Sequence, residues 1–256
     1  MSSPSTSPDA DARRSAVRSI AKRYRRAERA VSWLVALSVA GAFLTAFALA
    51  DLLPALAVGA VLLVAVRAPV LRRRGTTRLL TDASPDAVIE EFASATPPVL
   101  AFQWAVADEV RPTPEGTGGA YEHSSLVGLR TYSLEIATET EAHADGSAAD
   151  ADAATLADPA ASPDDDGVAD GGGPVARVRI EGTLDGAPWG AYAVSVRDAA
   201  AGAPGETVVD VELRSRRRFG FRSVPQALVG DAYYADALAA QGYAVVDRDV
   251  SFAASR

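Results

Sequence analysis

The sequence predicts an α+β protein: an N-terminal two-helix transmembrane hairpin followed by a mainly antiparallel sheet of about six strands with two helices on one face. Three observations carry this expectation. Two apolar runs without internal charge stand near the N-terminus between arginine clusters. Short alternating runs joined by Gly, Pro and Asp turns fill the second half, and two stretches with helix start signals bracket those runs.

Residues 30–50 (AVSWLVALSVAGAFLTAFALA) hold no charge, and a bilayer core of about 30 Å needs about 20 residues at about 1.5 Å each. A second uncharged run, 52–66, follows Asp51 and extends to Leu71 if Arg67 reaches to the headgroups. Asp51 and Pro54 mark the turn. A single helix through both runs would be about twice the hydrocarbon thickness, so a hairpin over 30–71 is expected. Eight basic residues from Arg13 to Arg29 precede the first run, and Arg67, Arg72, Arg73, Arg74 and Arg78 follow or flank the end of the second. Retention of positive flanks on the inner side places both termini in the cytoplasm of a multi-pass membrane protein, with Trp33 as an interfacial anchor. Arg13-Arg14 and Ala48-Leu49-Ala50 have the forms of an export signal, but the length of the apolar region and the second run directly behind it argue for a retained anchor. Ser38, Ala42, Ala46 and Ala50 recur every four residues, a spacing that lets helices approach closely within the hairpin or between two copies of the chain. No ionisable group lies inside either run, which argues against a transporter or channel.

Residues 1–29 read as a disordered Ser/Pro-rich start and, over 13–29, a basic cytoplasmic helix, either lying along the inner leaflet or serving only as a positive flank. Residues 81–256 read as a cytoplasmic domain. Ser84-Pro85-Asp86 starts a helix, with a side-chain cap, proline in the first turn and an acid at the positive end of the dipole; Val88, Ile89 and Phe92 give it an apolar face and Pro97-Pro98 ends it. Residues 99–107 (VLAFQWAVA) read as a buried strand, 111–119 as a loop, and alternation near 126–136 places Tyr132, Leu134 and Ile136 on one face. Residues 141–173 hold nine acids, no base and no aromatic side chain, so they bury too little to offset chain entropy and read as a disordered acidic insert. Strands at 175–184, 189–197 and 207–218 form a meander, the first two joined through Asp185-Gly186. A helix over 224–241 and a strand over 243–252 complete the domain.

Charge divides along the chain as well. Residues 1–80 carry 13 basic and 4 acidic side chains, residues 81–256 carry 12 and 29, and the whole carries a formal net charge of -8. Lys22 is the one lysine among 25 basic residues, and aspartate outnumbers glutamate. With the basic N-terminus, the two apolar runs and the ending RRRFGFRSVPQALVGDAYYADALAAQGYAVVDRDVSF, the chain resembles a group of haloarchaeal two-span membrane proteins. That resemblance implies a halophilic, archaeal membrane protein and carries over no activity and no site residue.

The residue inventory excludes several chemistries. There is no cysteine, and His123 and His143 are the two histidines, so thiolate catalysis, Cys-based zinc sites and all-histidine metal centres are absent. No phosphate-binding glycine motif, nucleophile elbow or zinc-protease motif occurs, so no cofactor, metal or catalytic residue is assigned and an enzyme is not expected. His123, between Glu122 and Ser124, reads as an exposed loop residue. The strongest binding signal is Arg214, Arg216, Arg217, Arg218 and Arg222 interleaved with Phe219 and Phe221. This cluster could contact a protein partner or anionic headgroups, and the acidic insert could fold across it. Its R-F-G-F core resembles an RNA-recognition strand, but arginine at 218 and 222 breaks the pattern, so nucleic acid is not expected. The alternative is a small-molecule or lipid pocket between sheet and C-terminal helix, near Trp104, Trp189 and Tyr192.

Overall fold

The computed structural model describes residues 8–49, 52–68, 71–114, 116–125, 130–142, 176–198, 206–215, 218–220 and 223–254. It is α+β, with a long N-terminal helix and one large antiparallel sheet. Helix α1 runs unbroken from Pro8–Leu49, and α2 spans Leu52–Arg67. Strand β1 (Leu71–Thr81) follows, then helix α3 (Pro85–Ala93), a 3-10 turn at Pro98–Leu100 and the one-turn helix α4 (Ala101–Trp104). Strands β2 (Glu109–Pro112), β3 (Gly119–Ser125), β4 (Arg130–Ala142), β5 (Ala176–Leu184), β6 (Ala187–Asp198) and β7 (Thr207–Arg214) precede helix α5 (Ser223–Ala239) and strand β8 (Ala244–Ala254).

The eight strands lie in the order β2-β3-β4-β5-β6-β7-β1-β8. The meander forms where the sequence places it, and Asp185-Gly186 turns β5 into β6 with φ of 50° and 77°, the positive values a tight hairpin turn requires. One face is buried: Leu134 and Ile136 of β4, Val178 and Ile180 of β5, Val194 and Val196 of β6, and Val209 and Val211 of β7 share a core with Val88 and Phe92 of α3. The opposite face carries charge, with Asp210 accepting from Arg78 Nε at 2.8 Å and from Arg197 Nη2 at 2.5 Å. Helix α3 starts as its sequence dictates, Ser84 Oγ accepting from Ala87 N at 3.4 Å with Pro85 in the first turn.

The sheet exceeds the expected six strands for identifiable reasons. Arg72 to Arg78, read as a positive flank, belong to β1, whose alternate residues Thr77, Leu79 and Thr81 are buried. Part of the stretch read as a loop at 111–119 instead pairs as the β2–β3 hairpin. Conversely, the expected strand at 99–107 is helical. An apolar run of that length has no period to decide between strand and helix, and Pro98 at the start of a turn favours helix. Trp104 Nε1 donates to Pro97 O at 3.1 Å, closing the segment on itself. The expected insert at 141–173 lies outside the described residues except for Glu141 and Ala142, which end β4.

The helix expected over 13–29 is present, and it does more than flank the apolar run. Residues from Pro8 are helical, and Val17, Ile20 and Ala21 are buried in the domain, Val17 completely. Tyr24 stacks on Phe102 with ring centroids 4.6 Å apart. The i, i+3, i+4, i+7 spacing of 17, 20, 21 and 24 makes one apolar stripe, leaving Arg14, Arg18, Lys22 and Arg23 exposed.

Beyond residue 30, α1 exposes large apolar side chains, with Trp33 at 69% and Leu49 at 83%, and it is long and apolar enough to cross a membrane. Helix α2 packs on it where Gly59 meets Phe43: a Cβ at 59 would lie 3.0 Å from the ring. The expected small-residue seam differs. Ser38 and Ala42 are exposed, Ala46 is half-buried, and Ala50 lies outside the described residues. Helix α2 has 16 residues and stops at Arg67 rather than reaching Leu71, which begins β1. Its length is therefore about 24 Å.

Candidate functional site

A cavity of about 340 Å³ lies between the apolar face of the sheet and helices α1 and α5. Its floor comes from alternate residues of three paired strands. Arg73, Gly75 and Thr77 of β1 lie opposite Phe252, Val250 and Arg248 of β8, and Gly75 and Thr77 opposite Leu213 and Val211 of β7. Arg248 reaches this face because of a β-bulge: Arg78 pairs with Asp247 and Leu79 with Val245, so Val246 has no partner and sits 57% exposed. Were alternation unbroken from Val245, Arg248 would turn to the outer face.

The polar end of the cavity ties sheet to helix. Arg73 Nη2 donates to Asp231 Oδ1 of α5 at 2.5 Å, and Arg248 Nη2 donates to the same oxygen. Arg248 Nη1 also donates to Thr77 Oγ1 at 3.2 Å, and its guanidinium lies 3.8 Å from the ring centroid of Tyr234, a cation–π contact. Two cations thus share one carboxylate, and Arg73 Nε is buried without an acceptor. Across the cavity Glu28 of α1 is raised above the ordinary carboxylate range, chiefly by burial, with Tyr24 hydrogen-bonding and Arg25 and Arg29 opposing that rise. Burial likewise raises the Tyr192 phenol. The remaining wall combines Phe102, Trp189, Tyr192 and Phe219 with the polar side chains of Tyr24, Gln103 and Gln226.

Of the residues singled out from the sequence for a pocket, Trp189 and Tyr192 line this cavity and Trp104 does not; it is a core residue at 6% exposure. The arginine-rich segment divides. Arg214 ends β7, exposed and forked onto Glu212 through Nε at 2.7 Å and Nη2 at 3.2 Å. Arg218 is exposed, whereas Phe219 pairs its backbone with Leu71 and turns into the cavity wall. Arg216, Arg217, Phe221 and Arg222 lie outside the described residues. Sequence reasoning missed Arg73, Asp231 and Arg248. The available signal was a charged residue at an inward position of an alternating strand, visible at Arg73 between Leu71 and Thr77 but hidden at Arg248 by the bulge.

His123 stands apart from this cavity. Rather than an exposed loop residue it is an inward residue of β3, 5% exposed and stacked on Tyr132 with centroids 5.0 Å apart. Burial lowers its pKa, Arg25 lowers it further, and Asp108 opposes them. Unfolded, the ring titrates near 6.5. Between the folded and unfolded values the unfolded chain binds the extra proton, so this contribution to stability is whole above about pH 6.5, declines as pH falls, and levels off below the folded pKa. Denaturant melts from pH 7.5 to 5 are expected to show this decline, and His123→Phe to lose it. Burial of Glu28 and Glu91 raises their pKa and gives the opposite slope, which the comparison of the two chains cancels. Equal slopes in the two chains would remove His123 as the source.

Among the described residues no three His, Asp or Glu side chains are grouped to hold a metal ion. No protein-family model matches the chain, and no curated protein matches it.

Proposed function

We propose that the protein is a membrane-anchored binding protein whose domain holds a small amphipathic molecule in the cavity beneath α1 and α5. In this reading α1 beyond residue 30 and α2 form a transmembrane hairpin, with both termini and the domain in the cytoplasm. Its support is the run of exposed apolar side chains from Trp33 to Leu49, the packing of Gly59 of α2 on Phe43 of α1, and the arginine flanks. A second arm of about 24 Å is shorter than the hydrocarbon core and calls for local thinning of the bilayer. Ser38 and Ala42 remain outward, open to a second copy of the chain. The same layout keeps the resemblance to haloarchaeal two-span proteins as part of this proposal.

The observation that carries the binding reading is the cavity itself, within the range of small-molecule sites, with an ionic end and a wall of mixed aromatic, aliphatic and polar side chains. Ion pairing of Arg214 with Glu212 and the inward turn of Phe219 weigh against the arginine-rich segment as the main contact surface. Native mass spectrometry of the full chain released from its membranes tests the reading. The wild type is expected to carry an additional small molecule. Ala227→Phe, which fills the cavity from α5, is expected to lack it at a stability cost of about 1 to 3 kcal/mol. Retention of that mass by Ala227→Phe would place the molecule elsewhere, and its absence from the wild type would overturn the reading.

A further inference from the structure

We infer that the ligand is a single-chain anionic amphiphile, its carboxylate or phosphate head held by Arg73 and Arg248 and its hydrocarbon body laid against Leu213, Trp189, Phe219 and Phe252. This rests on the binding reading above and names the class of molecule the site takes.

Charge selects the head. Two guanidiniums converge on one oxygen of Asp231, leaving a net positive charge at the polar end, and Arg73 Nε is out of water with no acceptor. A buried donor left unmade costs about 1 to 3 kcal/mol, which an oxygen brought by a ligand would recover once the guanidinium swings toward it. Planar forks of this kind match carboxylate and phosphate. Glu28, the other acid on the cavity wall, belongs to α1 and hydrogen-bonds Tyr24, and its burial raises its pKa.

Size and lining select the body. The cavity of about 340 Å³ lies at the small end of the range of about 300 to 1,000 Å³ for small-molecule sites, which suits one chain rather than two. Leu213, Trp189, Phe219, Val250 and Phe252 supply an apolar wall that suits a hydrocarbon body, beside polar groups from Glu28, Gln103 and Gln226.

Position selects the source. Glu28 lies two residues before the uncharged run at 30, about 3 Å along the helix axis. Gln226, on the cavity wall, donates through Nε2 to Ser32 Oγ at 3.0 Å, tying α5 to the first turn of the apolar half of α1. Leu228 on the same helix is 60% exposed. A chain sliding out of a bilayer that surrounds the apolar half meets the cavity at its edge.

Calorimetric titration of the full chain in nanodiscs tests this with four probes: dodecanoate, dodecyl phosphate, dodecanol and inorganic phosphate. Both anionic amphiphiles are expected to bind about tenfold or more tightly than dodecanol, the discrimination of one charge-assisted contact, with inorganic phosphate weaker still. Which anion binds tighter separates a carboxylate from a phosphate ligand. Arg248→Met is expected to erase the preference while leaving dodecanol unchanged, and Asp231→Asn, which removes the competing carboxylate, to strengthen anion binding. A purely structural Arg–Asp–Arg strut predicts no such gain. Equal binding of dodecanol and the anions in the wild type overturns the inference while the cavity remains a binding site. Absence of binding by every probe overturns it too, and if the chain also carries no native ligand, the binding reading falls with it. The wild-type comparison stands even where a variant fails to fold.

Discussion

Val17→Asp is expected to unfold the domain. Val17 is fully buried in the core shared by α1, α3 and the sheet, and an unpaired carboxylate there either stays charged out of water or takes up a proton at a large cost. A loss of about 4 kcal/mol or more is typical of such a change, against a whole-domain stability of about 5 to 15 kcal/mol. Val17→Ala, which only removes methyl groups, is expected to cost about 1 to 3 kcal/mol. Thermal melts and limited proteolysis of the full chain in detergent check both. If the aspartate variant melts with the wild type, residues 8–29 do not belong to the core. The result matters because a helix serving only as a positive flank predicts indifference to this substitution.

Gly118→Val is the second large effect. Gly118 has φ +81°, and a Cβ built there would stand 2.3 Å from Ile136 O, a backbone atom of strand β4. Its N–H also donates to Ala93 O at 2.9 Å, joining the β2–β3 turn to the end of α3. A β-branched residue must therefore move the backbone on two sides, and a loss of about 3 kcal/mol or more is expected. Gly116 provides the control: its φ is +79°, yet nothing lies within 4 Å of its would-be Cβ, so Gly116→Ala is expected to cost only about 1 kcal/mol for the backbone conformation. Chemical denaturation of the three chains separates clash from conformational preference. Equal losses at 116 and 118 would rule out the contact with Ile136 as the cause.

How far the sequence reveals this fold depends on whether a segment speaks through local chemistry or through its neighbours. The turn at Asp185-Gly186, the cap of α3 at Ser84-Pro85 and the alternation of β5 to β7 are local signals, and each appears in place. The run at 99–107 carries no period, so its helical form is settled by packing against α1 and α3. Strand β1 hides because four arginines mask its alternation and because its partners, β7 and β8, lie more than a hundred residues away. The candidate site shows the same division. Trp189 and Tyr192 are legible as inward aromatics, whereas the convergence of Arg73, Asp231 and Arg248 depends on long-range pairing and on a one-residue bulge at Val246. The buried stripe at Val17, Ile20, Ala21 and Tyr24 has helical spacing and was readable, but the surrounding basic residues make a membrane flank the simpler interpretation.

Helix α1 is one element with two tenants: its first half is built into the domain core, and its second half is the apolar rod. No loop separates them, so whatever grips the rod also sets the azimuth and height of the sheet, as a shaft carries its wheel. Each residue of an α-helix advances about 100° and 1.5 Å. One residue inserted near Arg29 would therefore swing the cavity mouth by more than a quarter turn against the rod and break the Gln226–Ser32 bond, whereas seven would restore its bearing within about 20° and raise it by about 10 Å.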